Sequence, residues 1–344
     1  MPIRRHHIPQ VVMMLAATTA GIMVTAARPV SHWPATTTPH LAKTKTAVHH
    51  ITMVTATIGW GLSTMRQILR TTNGGQSWTI VSTAHPHAAF LATSFPSPEH
   101  AVMVGVAHDG RQWLVWTTAN GGHTWHTAFL ALPQGGQISD ATVQSSWDSR
   151  ERGWLVIPVN MPAKSGQDRL YRTTDGGATW HLINANLPYS DNAGVVFNQS
   201  QVGWLPLHTD SLRNLKFLAT TKNGGKTWQR IALPVPPLLA PHVSNLKEDY
   251  SPSPVGLPVF ANPQLGAMLT TYGALNANGT QKPGYSVVYV TTDGGSHWQW
   301  TVLPPESQNA TNSPSTVAWQ STPQGWILNV RTFTQKIIAQ WDVP

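Results

Sequence analysis

Hydrophobic and polar positions alternate along this chain in short runs separated by turn residues. Around residue 155, for example, Gly153–Ile157 (GWLVI), Arg169–Thr173 (RLYRT) and Thr179–Ile183 (TWHLI) are each rich in β-branched and aromatic residues. Such runs are typical of short β-strands, and no segment after residue 50 shows a sustained period of 3.6 residues. The pattern therefore predicts an all-β protein.

One turn recurs between these runs and divides the chain into similar units. It has an Asp or Asn, then Gly-Gly, and closes on a Trp, and it occupies residues 71–78 (TTNGGQSW), 118–125 (TANGGHTW), 173–180 (TTDGGATW), 221–228 (TKNGGKTW) and 291–298 (TTDGGSHW). The closing Trp residues are 47, 55, 48 and 70 positions apart. A period of this size indicates a repeat architecture.

Each unit is interpreted as four antiparallel strands, the second of which often opens with Gly-Trp, as at Gly59-Trp60, Gly203-Trp204 and Gly325-Trp326. Four strands at a period near 50 residues match one blade of a β-propeller. The step of 70 residues is read as one blade with two insertions, at 234–258 and as a loop at 273–284. A sixth unit lacks the turn and its outer strand, so six blades are predicted by count, at residues 51–84, 88–133, 138–188, 193–234, 256–304 and 315–344 of a propeller spanning 51–344.

The first 27 residues resemble an export signal. Arg4 and Arg5 precede an uncharged, mostly apolar run that ends in small residues near Ala26 and Ala27, which predicts a signal peptide or an uncleaved signal anchor. Residues 28–50 follow as an N-terminal segment. Within it, Ser31-His32-Trp33 echoes Ser296-His297-Trp298, so we hypothesise that residues 31–45 supply the strand missing from the last unit; disorder of this stretch is the alternative.

The repeated turn is predicted to be structural. The Asp or Asn can accept backbone hydrogen bonds, the glycines permit positive φ, and the Trp buries a large apolar surface. The residues assigned to this structural role are Asn73, Gly75, Trp78, Asn120, Gly122, Trp125, Asp175, Gly177, Trp180, Asn223, Gly225, Trp228, Asp293, Gly295 and Trp298.

The Thr-x-Asp-x-Gly-x-Thr-Trp pattern at residues 173–180 resembles the Asp-box, or bacterial neuraminidase repeat. With Gly-Trp in the second strand, the full unit is similar to the photosystem II stability and assembly factor-like repeats. The resemblance covers about residues 50–344 and implies a propeller; members of that family typically have seven blades, which leaves seven as the alternative to six. The family name does not imply a photosystem partner.

Composition narrows the functional classes. The chain of 344 residues has no cysteine, which excludes disulfides and thiolate chemistry. Its formal charge is +8, but residues 1–50 contribute five of the Lys and Arg and no acidic residue. The propeller is thus only weakly basic, with no basic run of the kind that nucleic-acid binding requires.

Known catalytic and metal-binding patterns are not found in the sequence. Asp-boxes also occur in sialidases, and glycoside hydrolysis by such an enzyme would need paired carboxylates on inner strands. The four glutamates of this chain, Glu99, Glu151, Glu248 and Glu306, fall in predicted loops. His49-His50 and His85-Pro86-His87 are interpreted as exposed polar residues rather than metal ligands. No catalytic residue, metal or cofactor is predicted.

The sequence therefore favours a non-catalytic, extracytoplasmic propeller that binds or assembles another protein or envelope component, and that contacts the membrane only if its N-terminal segment is uncleaved. A basic patch on the third strands is the predicted contact surface, comprising Arg66, Arg70, Arg111, Arg169, Arg172 and Lys216. The alternatives are a sialidase-like glycoside hydrolase, or a lectin that uses exposed Trp113, Trp147 or Trp300.

Overall fold

A computed structural model describes residues 48–64, 67–82, 88–107, 112–131, 137–138, 143–161, 164–188, 194–207, 217–239, 256–275, 281–303, 316–323, 325–331 and 336–341. The described residues form antiparallel sheets, and five of these sheets contain the four strands of a propeller blade in chain order. The predicted all-β propeller with four-stranded antiparallel blades is confirmed.

The strands of the first three blades are listed here in chain order. Blade 1 contains β1 (Val48–Met53), β2 (Gly59–Ser63), β3 (Ile68–Thr71) and β4 (Thr79–Ile80). Blade 2 contains β5 (Ala88–Ser94), β6 (Ala101–Ala107), β7 (Gln112–Thr118) and β8 (His126–Ala131). The short β9 (Gln137–Ile138) joins blade 3, which contains β10 (Gln144–Trp147), β11 (Gly153–Met161), β12 (Lys164–Thr173) and β13 (His181–Asn184).

The remaining strands form two more blades and a smaller sheet. Blade 4 contains β14 (Val196–Phe197), β15 (Gly203–Pro206), β16 (Phe217–Thr221) and β17 (Gln229–Ala232). Blade 5 contains β18 (Val259–Phe260), β19 (Gly266–Leu275), β20 (Gln281–Thr291) and β21 (Gln299–Val302). The terminal sheet contains β22 (Thr316–Thr322), β23 (Gly325–Arg331) and β24 (Lys336–Trp341).

The core consists of apolar layers between consecutive sheets. In blade 2, Ala101 and Met103 pack toward blade 1, whereas Val102 and Val104 pack toward blade 3. Because successive strand residues point to opposite faces, a strand buried on both faces must be apolar at every position. Equivalent layers join blades 3 and 4, blades 4 and 5, and blade 5 and the terminal sheet.

The predicted number of blades is wrong, whether six or seven. Five sheets have the complete four-strand blade, and the terminal sheet has three strands among its described residues. It also departs from the repeat in its first hairpin. Five residues separate the paired ends of the first two strands in blades 1, 3, 4 and 5, but only two residues separate Thr322 from Gly325.

The second strand of the terminal sheet also faces the other way from those of blades 3 and 4. In blades 3 and 4 the Gly-Trp tryptophans, Trp154 and Trp204, pack toward the next blade. In the terminal sheet Leu328 and Val330 pack against blade 5, and they lie on the same strand face as Trp326. Trp326 therefore does not have the position that its Gly-Trp sequence predicted.

The two insertions of blade 5 also differ from a simple loop. Most of the predicted loop at 273–284 extends the hairpin of β19 and β20, which pair from Gly266↔Thr291 to Leu275↔Gln281. The first insertion begins by packing onto the blade, since Leu239 is buried in the layer between blades 4 and 5. Among the residues described between the fourth and fifth turns, the strands that follow β17 all belong to blade 5.

Candidate functional site

The five repeated turns share one hydrogen-bond network. In the turn of blade 3, Thr173 Oγ1 donates to Asp175 Oδ1 at 2.7 Å and accepts the N–H of Gly177 at 2.9 Å. Asp175 Oδ1 also accepts the N–H of Thr179 at 2.9 Å. Equivalent bonds occur in the other four turns, centred on Asn73, Asn120, Asn223 and Asp293.

Asp and Asn can replace each other in this network because Oδ1 accepts the same hydrogen bonds in both residues. They differ only in the bond made by Oδ2 of Asp or Nδ2 of Asn. Asp175 Oδ2 accepts from the Thr179 hydroxyl at 2.6 Å, whereas Asn120 Nδ2 donates to the Thr124 hydroxyl at 2.8 Å. Burial by itself raises the pKa of the Asp175 carboxyl, but the hydrogen bonds from Thr179 and Thr173 outweigh it, so the pKa lies below its usual value. A carboxylate committed in this way is a structural acceptor.

The glycines of each turn serve two further contacts. The first glycine donates its N–H to the carbonyl of the connection between the first two strands of the same blade, as Gly176 does to Glu151 at 2.8 Å. The second glycine approaches the preceding blade: a Cβ on Gly122 would lie 2.6 Å from Val81 Cβ of blade 1. With φ of +88° at Gly122, only glycine fits both the conformation and the space.

A groove of about 640 Å³ lies where this turn of blade 2 meets the outer strand of blade 1. Its lining combines the β4 region of blade 1 with the turn of blade 2 and consists of Arg70, Thr72, Ser77, Thr79, Ile80, Val81, Ser82, Gly121, Gly122, His123 and Trp125. The Ile80 side chain is 47% exposed, and Trp125 Nε1 donates to the Val81 carbonyl at 2.7 Å across the groove. The surface thus offers an exposed aliphatic side chain, an indole and several hydroxyls.

Arg70 provides the cationic part of this groove. Its guanidinium lies 5.5 Å from the centre of the Trp60 ring, donates to the Pro98 carbonyl at 3.2 Å and is 3.7 Å from Glu99. The Arg70 side chain is only 14% exposed. Arg172 has the same relation to Trp154 in blade 3, at 5.4 Å. Both arginines lie against the turn of the next blade, where they pack between blades.

The other members of the predicted basic patch are placed as follows. Arg169 lies on β12 and interacts with the buried Tyr171 hydroxyl. Arg66, Arg111 and Lys216 lie outside the described residues. The structure therefore brings none of the described patch residues together on one surface, and the patch itself stays a prediction.

The other candidates from the sequence separate into buried and exposed residues. Trp113 is fully buried, and Trp147 is partly buried against His100 and Trp180, so neither is available to a sugar. Trp300 is 38% exposed on the outer strand β21. His49 and His50 are exposed on β1, whereas residues 85–87 lie outside the described part of the chain.

Neither a metal-binding cluster nor a membrane-spanning helix is found among the described residues. They contain no group of three or more His, Asp or Glu side chains that could hold a metal ion. Within the same ranges, no helix is long and apolar enough to cross a membrane. The six innermost strands, as far as they are described, carry no Asp or Glu.

The sequence of the third turn matches the family model described as "BNR/Asp-box repeat" over residues 171–182. Together with the shared network in five turns, this match confirms the predicted resemblance: the chain is a β-propeller built on Asp-box repeats. A search of curated protein sequences gives no match.

Comparison with solved structures finds matches of low similarity. "YCF48 bound to D1 peptide" is 13% identical with a TM-score of 0.35, covering 87% of this chain and 93% of that one. A GH74 enzyme of Niastella koreensis is 11% identical (TM-score 0.36; 86% and 56% covered). An α-L-arabinanase of Penicillium chrysogenum complexed with arabinobiose is 12% identical (TM-score 0.41; 75% and 79% covered). Similarity at this level does not distinguish a binding protein from a glycoside hydrolase.

Proposed function

We propose that this protein is a non-catalytic, exported propeller that binds an extended segment of another protein of the cell envelope. The observation that carries the proposal is the groove between blades 1 and 2, in which an outer strand edge, Ile80 and Trp125 lie beside several hydroxyl groups. Export is supported by the basic and apolar pattern of residues 1–27.

The chemistry of the groove suits a peptide better than a small charged ligand. Arg70 is its cation, but this side chain is largely buried and already contacts Glu99 and a carbonyl. Exposed apolar area and hydroxyl donors beside a short outer strand instead match an extended chain, which can offer backbone groups and one apolar anchor.

The test compares two equivalent positions on different blades. Ile80 and Leu182 each lie two residues after the Asp-box Trp, and they are 47% and 46% exposed. Proteins captured from the native envelope by the wild type would be identified, and their binding to Ile80→Glu and Leu182→Glu compared. We expect Ile80→Glu to weaken binding by at least about tenfold and Leu182→Glu to leave it unchanged. Equal binding by both variants would remove the groove from the proposal.

A carbohydrate-binding function is the second candidate, and the exposed Trp300 is the observation that favours it. Exposed indoles supply large apolar contact area at binding surfaces. Binding to a panel of glycans that is lost in Trp300→Ala but kept in Ile80→Glu would support it. Turnover of a sialoside or an aryl glycoside by the wild type would contradict both non-catalytic functions.

A further inference from the structure

The junction between blades 1 and 2 and the junction between blades 3 and 4 are built from equivalent parts. In each, an arginine of the third strand packs on a tryptophan ring, Arg70 in blade 1 and Arg172 in blade 3. Four residues after the Asp-box Trp, the outer strand region has Ser82 in blade 1 and Asn184 in blade 3. The two junctions therefore differ in one polar side chain that lies beside the turn of the next blade.

At the junction between blades 3 and 4, Asn184 bridges the two blades through its carboxamide. Its Nδ2 donates to the carbonyls of Gly225 and Lys226 in the turn of blade 4, at 3.3 and 3.2 Å. Its Oδ1 accepts the N–H of Asn186 at 2.8 Å, which orients the amide so that the NH2 group faces the turn. Trp228 Nε1 also donates to the Gly225 carbonyl, at 3.0 Å. Both carbonyls of this turn thus have donors from side chains.

The same two carbonyls lack these donors at the junction between blades 1 and 2. They belong to Gly122 and His123, and both residues line the groove. The Ser82 hydroxyl is turned toward its own blade, where it accepts a backbone N–H at 2.8 Å. Trp125 Nε1 donates to the Val81 carbonyl and not to its own turn. Within the described part of the chain, no donor therefore reaches the carbonyls of Gly122 and His123.

The His123 ring adds a further acceptor to this side of the groove. Its Nδ1 lies 2.6 Å from the Asn120 carbonyl, so Nδ1 carries the hydrogen and donates. In the neutral ring, Nε2 then has a lone pair. The guanidinium of Arg70 already contacts a carbonyl and Glu99. The groove wall formed by the turn of blade 2 consequently presents acceptors and favours a ligand that donates.

We propose that this groove binds a primary carboxamide, the side chain of an Asn or Gln in the extended segment of the partner. Its NH2 group has two hydrogens and donates to the carbonyls of Gly122 and His123, as the Asn184 amide donates to the turn of blade 4. A carboxylate of the same shape has no hydrogen to donate and would bring its charge against two carbonyl oxygens. The inference rests on the proposed function and adds the chemical group that the groove selects.

The first experiment supplies the carboxamide from the chain itself. Ser82→Asn places an amide where Asn184 stands in blade 3, and Ser82→Asp is the matched control without the donor. We expect the melting temperature of Ser82→Asn to exceed that of Ser82→Asp by at least about 1 °C. In blade 3, Asn184→Asp keeps the acceptor for the Asn186 N–H but loses the donor, so its melting temperature should fall by a similar amount. Equal melting temperatures of Ser82→Asn and Ser82→Asp would contradict the proposal.

The second experiment measures selection among peptides. Labelled peptides of alternating Thr and Val with one central Asn, Gln, Asp, Glu or Ala, each ending in a methylamide, would be titrated into the wild type by fluorescence anisotropy. The Asn or the Gln peptide should bind at least about tenfold more tightly than the Asp, Glu and Ala peptides. In Ser82→Asn, whose own amide occupies the two carbonyls, this preference should disappear. Equal binding of all five peptides, or no binding below about 1 mM, would overturn the carboxamide inference.

The captured envelope partner separates this inference from the proposed function. Its binding would be compared between wild type, Ile80→Glu and Ser82→Asn. We expect both variants to weaken binding by at least about tenfold. A loss in Ile80→Glu alone would keep the groove as the binding site and overturn the carboxamide. Unchanged binding in both variants would remove the groove from the proposed function as well.

Discussion

The junction between blades 3 and 4 and the first strand of blade 1 are built from the same repeat but packed differently. At the junction, Trp154 is fully buried, stacks on Phe197 and donates from Nε1 to the Gly224 carbonyl at 3.3 Å. On β1, Met53 packs on Gly59 as Phe197 packs on Gly203 in blade 4, but Met53 is 40% exposed whereas Phe197 is 3% exposed. The turn networks of blades 1 and 3 are nevertheless the same. The comparison separates what a blade needs for itself from what it needs from its neighbour.

The largest expected effect comes from truncating the ring at a complete junction. Trp154→Ala should lower the free energy of unfolding by about 3–5 kcal/mol, because it leaves a cavity against Phe197 and Arg172. Met53→Ala should cost about 1–2 kcal/mol, since part of its surface already contacts solvent. Urea denaturation of both variants measures the difference. Equal losses would show that Met53 is packed as tightly as a residue at a complete junction.

A second effect separates contact between blades from turn conformation. Gly176 and Gly177 both have positive φ, +69° and +90°. A Cβ on Gly177 would lie 2.7 Å from Thr117 Oγ1 of blade 2, whereas a Cβ on Gly176 would be 3.7 Å from its nearest neighbour, Ala119. Gly177→Ala should cost about 2–4 kcal/mol and Gly176→Ala about 1 kcal/mol in unfolding free energy.

Urea or thermal denaturation of Gly176→Ala and Gly177→Ala would measure the two losses in unfolding free energy. If they were equally destabilised, the cost would come from the turn alone and the close approach to blade 2 would be unimportant.

A third prediction concerns a feature that the two regions share. Thr173→Val removes the donor to Asp175 and the acceptor of the Gly177 N–H inside a buried turn, which should cost about 1–3 kcal/mol. Thr71→Val in blade 1 should cost the same, because this turn bonds within its own blade. The exposed Thr174→Val is the control and should change stability by less than about 0.5 kcal/mol. If the urea midpoints of Thr173→Val and Thr71→Val differed strongly, the turns of blades 3 and 1 would not be energetically equivalent.

The smallest effect is a pH dependence at the junction of blades 2 and 3. His100 is 6% exposed, stacks on Trp147 and has Nε2 3.2 Å from the Arg150 carbonyl of blade 3. Burial lowers the pKa of His100; the hydrogen bond to the Arg150 carbonyl and the Glu99 charge oppose this in part, and the Arg150 charge adds a smaller lowering. The unfolded chain therefore binds the proton more readily than the folded one.

Stability should consequently fall as the pH drops below about 6.5, the usual pKa of histidine, and level off once the folded form also binds the proton. Urea titrations between about pH 5 and 8 would show this slope in wild type and a weaker one in His100→Gln. An unchanged slope in the variant would assign the dependence to another group.

Much of the fold follows from local sequence. The Asx-Gly-Gly turn with its Thr and Trp needs only contacts within a few residues, so five turns and the blades around them were predictable. The roles of Arg70 and Arg172 were not, because a basic residue on a third strand looks like a solvent-exposed charge until the Trp beside it and the next blade are in place. The groove beside Ile80 likewise has no local signal, since its walls come from two different blades.

The sequence by itself determined the strands, the turns and the class of propeller, because β-strand alternation and turn chemistry act over a few neighbouring residues. Only the tertiary structure decided the number of complete blades and the face that the terminal sheet buries. Those depend on how neighbouring sheets pack, because a strand that is apolar on both faces can turn either face toward its neighbour. The same Gly-Trp sequence therefore packs toward the next blade at Trp154, whereas Trp326 lies on the strand face that is turned toward the preceding blade.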